Sequence, residues 1–178
     1  ETLPLDEVSK EDYINMIRLK TAVLLAYALK IGAYIGGATE QQQQVLYDFG
    51  IHVGLAFQIQ DDVLDVYGNE ATFGKAIGGD ICEGKKTFIF LEARDAADPA
   101  TKQELFHAMI WPNATQEQRK GKIDRVTSLY NRVHARERAQ AAIEQHTRQA
   151  LGLLEGLPEN EAKQTIIRLT EQLVNRQS

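Results

Sequence analysis

The chain has 178 residues, enough for one domain with a sizeable core. It carries 20 Lys plus Arg against 25 Asp plus Glu, a formal net charge of -5, which argues against nucleic acid as a partner. One cysteine, Cys82, excludes an intrachain disulfide and a Cys-built zinc site, and the reducing cytoplasm is the expected compartment. Asn113-Ala114-Thr115 matches a glycosylation sequon and is read as chance.

Residues 1–8 read as an irregular lead-in, and Ser9 followed by Asp12 resembles a helix-capping pair. A first helix is predicted over 10–35, ended by Gly36-Gly37. Its segment 21–39 is as long as a bilayer span, but Lys30 stands at its middle and Ala and Gly are frequent. It therefore reads as the central helix of a bundle, apolar all round, and no membrane span is expected. Thr39 caps a second helix over 40–67, whose polar QQQQ start gives way to an apolar body. Five glycines between 68 and 84 break the pattern. Helices resume over 85–93 and around 103–110. Thr115 caps a long one over 116–155 with Gly121 as its weak point, and Gly156-Leu157-Pro158 precedes a last one over 161–175. With no alternating strand pattern, the fold class is all-α, and no linker divides the chain into separate domains.

Residues 57 to 65 read FQIQDDVLD, an acidic cluster on an apolar helix. At about 100° per residue, Gly54, Gln58, Asp61 and Asp65 share one stripe, with Gly54 a gap lacking a side chain, and Asp62 lies on its flank. The stripe is longer than a helix cap requires. His52 falls on the opposite side and reads as a packed or surface residue. By the same count Lys20 projects from a face bearing Tyr13, Ile17, Leu24, Tyr27 and Ile31; snorkelling would explain it in isolation. Lys75, Asp80, Lys85 and Lys86 follow among glycines. Carboxylates beside lysines suit Mg²⁺, which takes one or two carboxylates, keeps several waters and completes its shell with phosphate oxygens, the lysines offsetting the remaining charge. The stretch from Gly79 to Lys86 nearly matches a nucleotide-binding phosphate loop. It fails because Lys86 stands where Ser or Thr is required and no strand precedes it.

Lys20-Thr21, Phe57-Gln58 with Asp61-Asp62-x-x-Asp65, Gly74-Lys75, Asp80 and Gly84-Lys85-Lys86-Thr87 together resemble the trans-isoprenyl diphosphate synthases, most strongly over 13–90. The resemblance implies an antiparallel helical bundle around an apolar cavity, with Mg²⁺ held by Asp61 and Asp65 and supported by Asp62. It implies that Lys20, Lys75 and Lys85 grip an allylic diphosphate, that Thr21 and Gln58 line the reacting end of the allyl chain, and that Phe57 packs near isopentenyl diphosphate. The implied reaction is Mg²⁺-dependent condensation of the two diphosphates, carried out by a homodimer.

The chain departs from that family in one respect: it holds a single DDxxD sequence, where the family carries two aspartate-rich motifs. The expectation is therefore one helical domain that forms the C-terminal part of a larger synthase domain, its bundle incomplete and the chain inactive alone. The alternative is a non-catalytic partner subunit or inactive fragment. A class I terpene cyclase is disfavoured because no Asn/Asp-Ser/Thr-Glu metal motif follows.

Overall fold

The computed structural model describes residues 5–69 and 76–174, all of whose regular structure is helical. In chain order these are α1 (Lys10–Ile17), a π-helical turn (Arg18–Ala22), α2 (Val23–Ile35), α3 (Glu40–Tyr67), α4 (Gly79–Cys82), α5 (Phe88–Ala96), α6 (Pro99–Met109), α7 (Gln116–Arg132), α8 (Ala135–Leu154) and α9 (Glu161–Val174). The chain divides into two compact units, one of Glu1–Tyr13 with Asp61–Gln140, the other of Ile14–Gln60 with Ala141–Gln177.

Side-chain caps set most of the helix starts. The Asp12 amide donates to Ser9 Oγ at 3.0 Å while the Ser9 amide donates back to Asp12 at 3.3 Å. Thr39 with Gln42, and Thr115 with Gln118, repeat this reciprocal arrangement, which satisfies amides that have no partner inside the helix. Thr87 and Asp98 cap α5 and α6.

In the first unit, α7 packs on α4, α5 and α6. Phe90, Leu91, Leu105, Val126, Leu129 and Tyr130 are among its fully buried side chains. Arg94 is buried there too, its guanidinium donating to the Val8 carbonyl at 2.5 Å and to Asp95 at 2.7 Å. In the second unit, Phe49 and Val53 of α3 and Ala150 and Leu154 of α8 form a buried cluster. Leu25 and Leu29 of α2 and Ile166 and Ile167 of α9 pack against it.

Three features differ from the sequence reading. The helix over 10–35 is not uniformly α: the Val23 amide donates to the Arg18 carbonyl five residues back, so one residue is accommodated as a π turn. The buried positions Tyr13, Ile17, Ala22 and Ala26 accordingly step by four, five and four, whereas Leu24, Tyr27 and Ile31 are exposed. Nor is α2 buried all round: Tyr34 and Ile35 are more than 70% exposed. The helix predicted over 116–155 is also interrupted, by His134 at φ 56°, while Gly121 lies inside unbroken α7. Among the described residues no helix is long and apolar enough to cross a membrane.

Candidate metal and diphosphate site

The first unit holds the carboxylates. Asp61, Asp62 and Asp65 sit in the last two turns of α3, and the three differ in their surroundings. Asp62 is 4% exposed, and its Oδ2 accepts hydrogen bonds from the Tyr13 hydroxyl and from the Phe88 amide, the latter at 2.8 Å. Burial pushes its carboxyl up to about 7 against these two donors, which favour the charged form. Burial likewise holds the Tyr13 hydroxyl protonated well above the ordinary phenol range.

Asp65 is 9% exposed and accepts from the Asp80 amide at 3.0 Å, while its own carbonyl accepts from the Gly78 amide at 2.6 Å. Gly78 has φ 77°, a left-handed conformation for which glycine is suited, and an added Cβ there would meet Ile123 at 2.6 Å. That turn is what brings α4 back onto the aspartate helix. Burial pushes the Asp65 carboxyl up to about 6. Asp61 is partly exposed.

Lys85 donates to Asp80 at 2.7 Å and to Glu83 at 2.8 Å, and these bonds, Asp80's first, raise its already high pKa. Its side chain is half exposed, so a phosphate could replace the exposed Glu83 partner at little cost. Gly74 and Lys75 lie outside the described residues.

The second unit holds the other sequence-derived candidates. Lys20 and Thr21 lie within the π turn, Lys20 exposed and Thr21 half-buried, and Thr21 Oγ1 donates to Gln58 Oε1 at 3.1 Å. Phe57, beside Gln58, is half-buried. Gly54 is not an open gap in the stripe. A Cβ there would fall 2.5 Å from Ala22 Cα and 2.6 Å from Ala22 Cβ, so the π turn occupies that space. Gly50 approaches Ala26 in the same way. Gly54 on α3 thus seats the turn that carries Lys20 and Thr21, and Gly50 seats α2 just beyond it.

The sequence reading missed Tyr13 and the Phe88 amide as partners of Asp62. The one available signal was that Tyr13 shares the buried side of α1 with Ile17. The donor chemistry fits a hard cation, since carboxylate oxygens suit Mg²⁺, and Asp61 is the carboxylate without a buried environment. Among the described residues, no three His, Cys, Asp or Glu side chains are gathered into a group that could hold a metal ion by themselves.

An all-α bundle in which one long helix carries DDxxD is of the isoprenoid synthase type, and solved structures agree. A geranylgeranyl pyrophosphate synthase matches with TM-score 0.87 and 41% identity, over 97% of this chain and 53% of its own. A geranylgeranyl pyrophosphate synthase of Corynebacterium glutamicum, solved with isoprenyl diphosphate and magnesium, matches with TM-score 0.81 and 28% identity over 94% and 47%. Residues 3–130 match the family described as Polyprenyl synthetase, and the chain belongs to that family. The short chain isoprenyl diphosphate synthase of Methanothermobacter thermautotrophicus is 34% identical over 171 residues, 96% of this chain and 51% of that protein.

The chain thus spans about half the length of these relatives, in keeping with an incomplete bundle. The comparisons also correct the extent of the resemblance. Sequence alone points to the C-terminal half of the family, with the resemblance strongest over 13–90. The family match instead occupies residues 3–130 and the structural match covers 97% of the chain, so the assignment to a C-terminal half is withdrawn.

Proposed function

We propose that this chain contributes metal- and diphosphate-binding groups to Mg²⁺-dependent prenyl transfer and does not complete the reaction by itself, as a non-catalytic partner or an inactive portion of a synthase. The observation that carries this reading is the state of the aspartates. Asp62 is engaged by Tyr13 and Phe88 and Asp65 by Asp80, leaving Asp61 as the carboxylate placed to take a metal directly. Mg²⁺ would supply charge stabilisation to a departing diphosphate. Asp61 would hold it with a free oxygen of Asp65, and Asp62 would act on the helix rather than on the ion.

In this reading Lys20, Lys75 and Lys85 neutralise the diphosphate, Thr21 and Gln58 face the allylic end, and Phe57 packs against isopentenyl diphosphate. The family match runs through residues of both compact units, which supports treating them as parts of one helical domain. The exposed apolar side chains of α2 support work in an assembly, a homodimer being the simplest, and the cytoplasm remains the proposed compartment.

The test is an assay of the purified 178-residue chain with Mg²⁺, labelled isopentenyl diphosphate and geranyl or farnesyl diphosphate, beside Mg²⁺-dependent binding of inorganic diphosphate by calorimetry. The expected result is no elongated product, together with diphosphate binding that Asp61→Asn weakens at least about tenfold. Product formation at the rate of a full-length synthase would overturn the proposal. So would diphosphate binding indifferent to Mg²⁺ and to Asp61.

A further inference from the structure

The second unit contains a histidine pair that the proposed function does not use. His52 of α3 and His146 of α8 face each other with Nδ1 atoms 3.1 Å apart and ring centroids 5.4 Å apart. The difference between those distances is what two imidazole radii take up when each ring points its Nδ1 directly at the other. The two Nδ1 axes are therefore nearly collinear.

Collinearity decides what sits between them. A zinc ion bound at about 2.0–2.1 Å from each nitrogen on that line would hold them about 4 Å apart, wider than observed. A hydrogen bond fits the separation, with one Nδ1 carrying a proton and the other presenting its lone pair. We propose that His52 and His146 form a one-proton latch that holds α8 against α3, closed at neutral pH and opened in mild acid.

The proton count follows from the tautomers. In the neutral pair one Nδ1–H lies on the line and the second ring keeps its proton on Nε2. A first added proton goes to the free Nε2 of the donor ring, leaving a charged donor and an intact bond. A second would put an N–H on both Nδ1 atoms, so that two protons and two charges meet where there is room for one. The latch tolerates one charge and opens on the second.

The surroundings set the direction. Asp48, one turn before His52 on α3, favours its protonation, while burial disfavours it and dominates. His146 is held down by burial and then by His52 itself. On α8, Glu144 lies two residues before His146 and is itself engaged. From α2, Lys30 turns to Gln44 and the Tyr47 ring. From α9, Lys163 is held by Glu159 and the Leu157 carbonyl, and Arg168 by Thr165. Both histidines are depressed relative to the unfolded chain, so the unfolded state binds more protons as pH falls. The stability they contribute is complete above the ordinary histidine value of 6.5 and is lost below it.

This inference does not depend on the prenyl-transfer reading, and its test needs no activity. On the full chain at pH 7.5, long-range ¹H–¹⁵N correlation should show one protonated and one unprotonated Nδ1 in the pair. Two Nε2–H rings titrating independently near the ordinary value would overturn the proposal. In urea titrations, the wild-type folding equilibrium constant should fall between pH 7.5 and 5 at least about tenfold more than that of His146→Gln, one unit of pKa being one factor of ten. His52→Gln and the double variant should show the same loss of pH dependence as His146→Gln, because either change removes the forbidden second charge. Effects of the two single variants that add in the double variant would show two separate histidines and no latch.

Discussion

The hydroxyl of Tyr13 donates a hydrogen bond to the buried carboxyl of Asp62, tying α1 to the aspartate helix across 49 residues of sequence. A hydrogen bond to a group that carries charge contributes about 1.5–3 kcal/mol when both partners are buried. In urea denaturation at pH 8, where the Asp62 carboxyl is mostly ionised, Tyr13→Phe should lower stability by about that amount. A loss within experimental error would mean that Phe88 alone satisfies the carboxyl.

Asp62 also has a pH signature. Burial pushes its carboxyl to about 7 from an ordinary value of 3.8, so between these values the folded state binds the proton more readily than the unfolded one. Its contribution to stability is complete below the lower value and is lost as pH rises through the upper one. Wild type should lose stability relative to Asp62→Asn between pH 5 and pH 8. A constant difference between the two across that range would refute the assignment.

Gly54 and Gly121 should respond in opposite directions to the same substitution. Gly54→Ala drives a Cβ into the backbone of Ala22 and should cost about 1–3 kcal/mol or more, with loss of the Thr21–Gln58 hydrogen bond. Gly121, exposed within α7 with nothing within 4 Å of its added Cβ, should gain about 0.5–1 kcal/mol as Ala. Thermal unfolding of the two variants side by side tests the close approach against generic glycine effects.

His134 adopts φ 56° just beyond α7, where a side chain is strained and glycine is not. His134→Gly should stabilise the chain by several tenths of a kcal/mol up to about 1. Its contact with Glu137, at 3.7 Å between two exposed side chains, offers little to offset that gain. A destabilised variant would show that the imidazole has a role beyond the turn.

Lys85 separates binding from folding. Its own side chain and that of Glu83 are more than half exposed, while Asp80 is more enclosed, so Lys85→Ala should change stability by about 1 kcal/mol or less. If it neutralises a diphosphate, the same variant should weaken diphosphate binding about tenfold or more. Unaltered binding would remove it from the site.

The sequence disclosed the helical class and most helix starts because capping is local: Ser9 with Asp12, Thr39 with Gln42 and Thr115 with Gln118 lie three residues apart. It concealed whatever depended on a constant helical period or on distant partners. A count at 100° per residue carried Leu24, Tyr27 and Ile31 onto the face of Tyr13 and Ile17, and the π turn moves them off it. The spacing of Ala22 and Ala26 after Ile17 held that information, but small residues give a weak hydrophobic signal. Gly54 looked vacant because its occupant, Ala22, lies 32 positions away. The aspartate pattern was legible as carboxylates on one helix. The division of labour among them was not, since Tyr13, Asp80 and Phe88 are contributed by other parts of the chain.

The π turn also bears on how this sequence tolerates change in length. It stores one residue more than an α-helix needs between Arg18 and Ala22, so deleting a single residue there could leave a continuous α-helix without shortening any loop. The buried positions Tyr13, Ile17, Ala22 and Ala26 would then follow one another in even steps of four, so Ala22 and Ala26 would stay on the side that meets Gly54 and Gly50. What would be lost is the surplus residue and the Val23 to Arg18 hydrogen bond that spans it. A deletion in the regular α-helical parts has no surplus to remove and would turn everything beyond it by about 100°. The π turn is thus the place where this long helix best tolerates the loss of a residue.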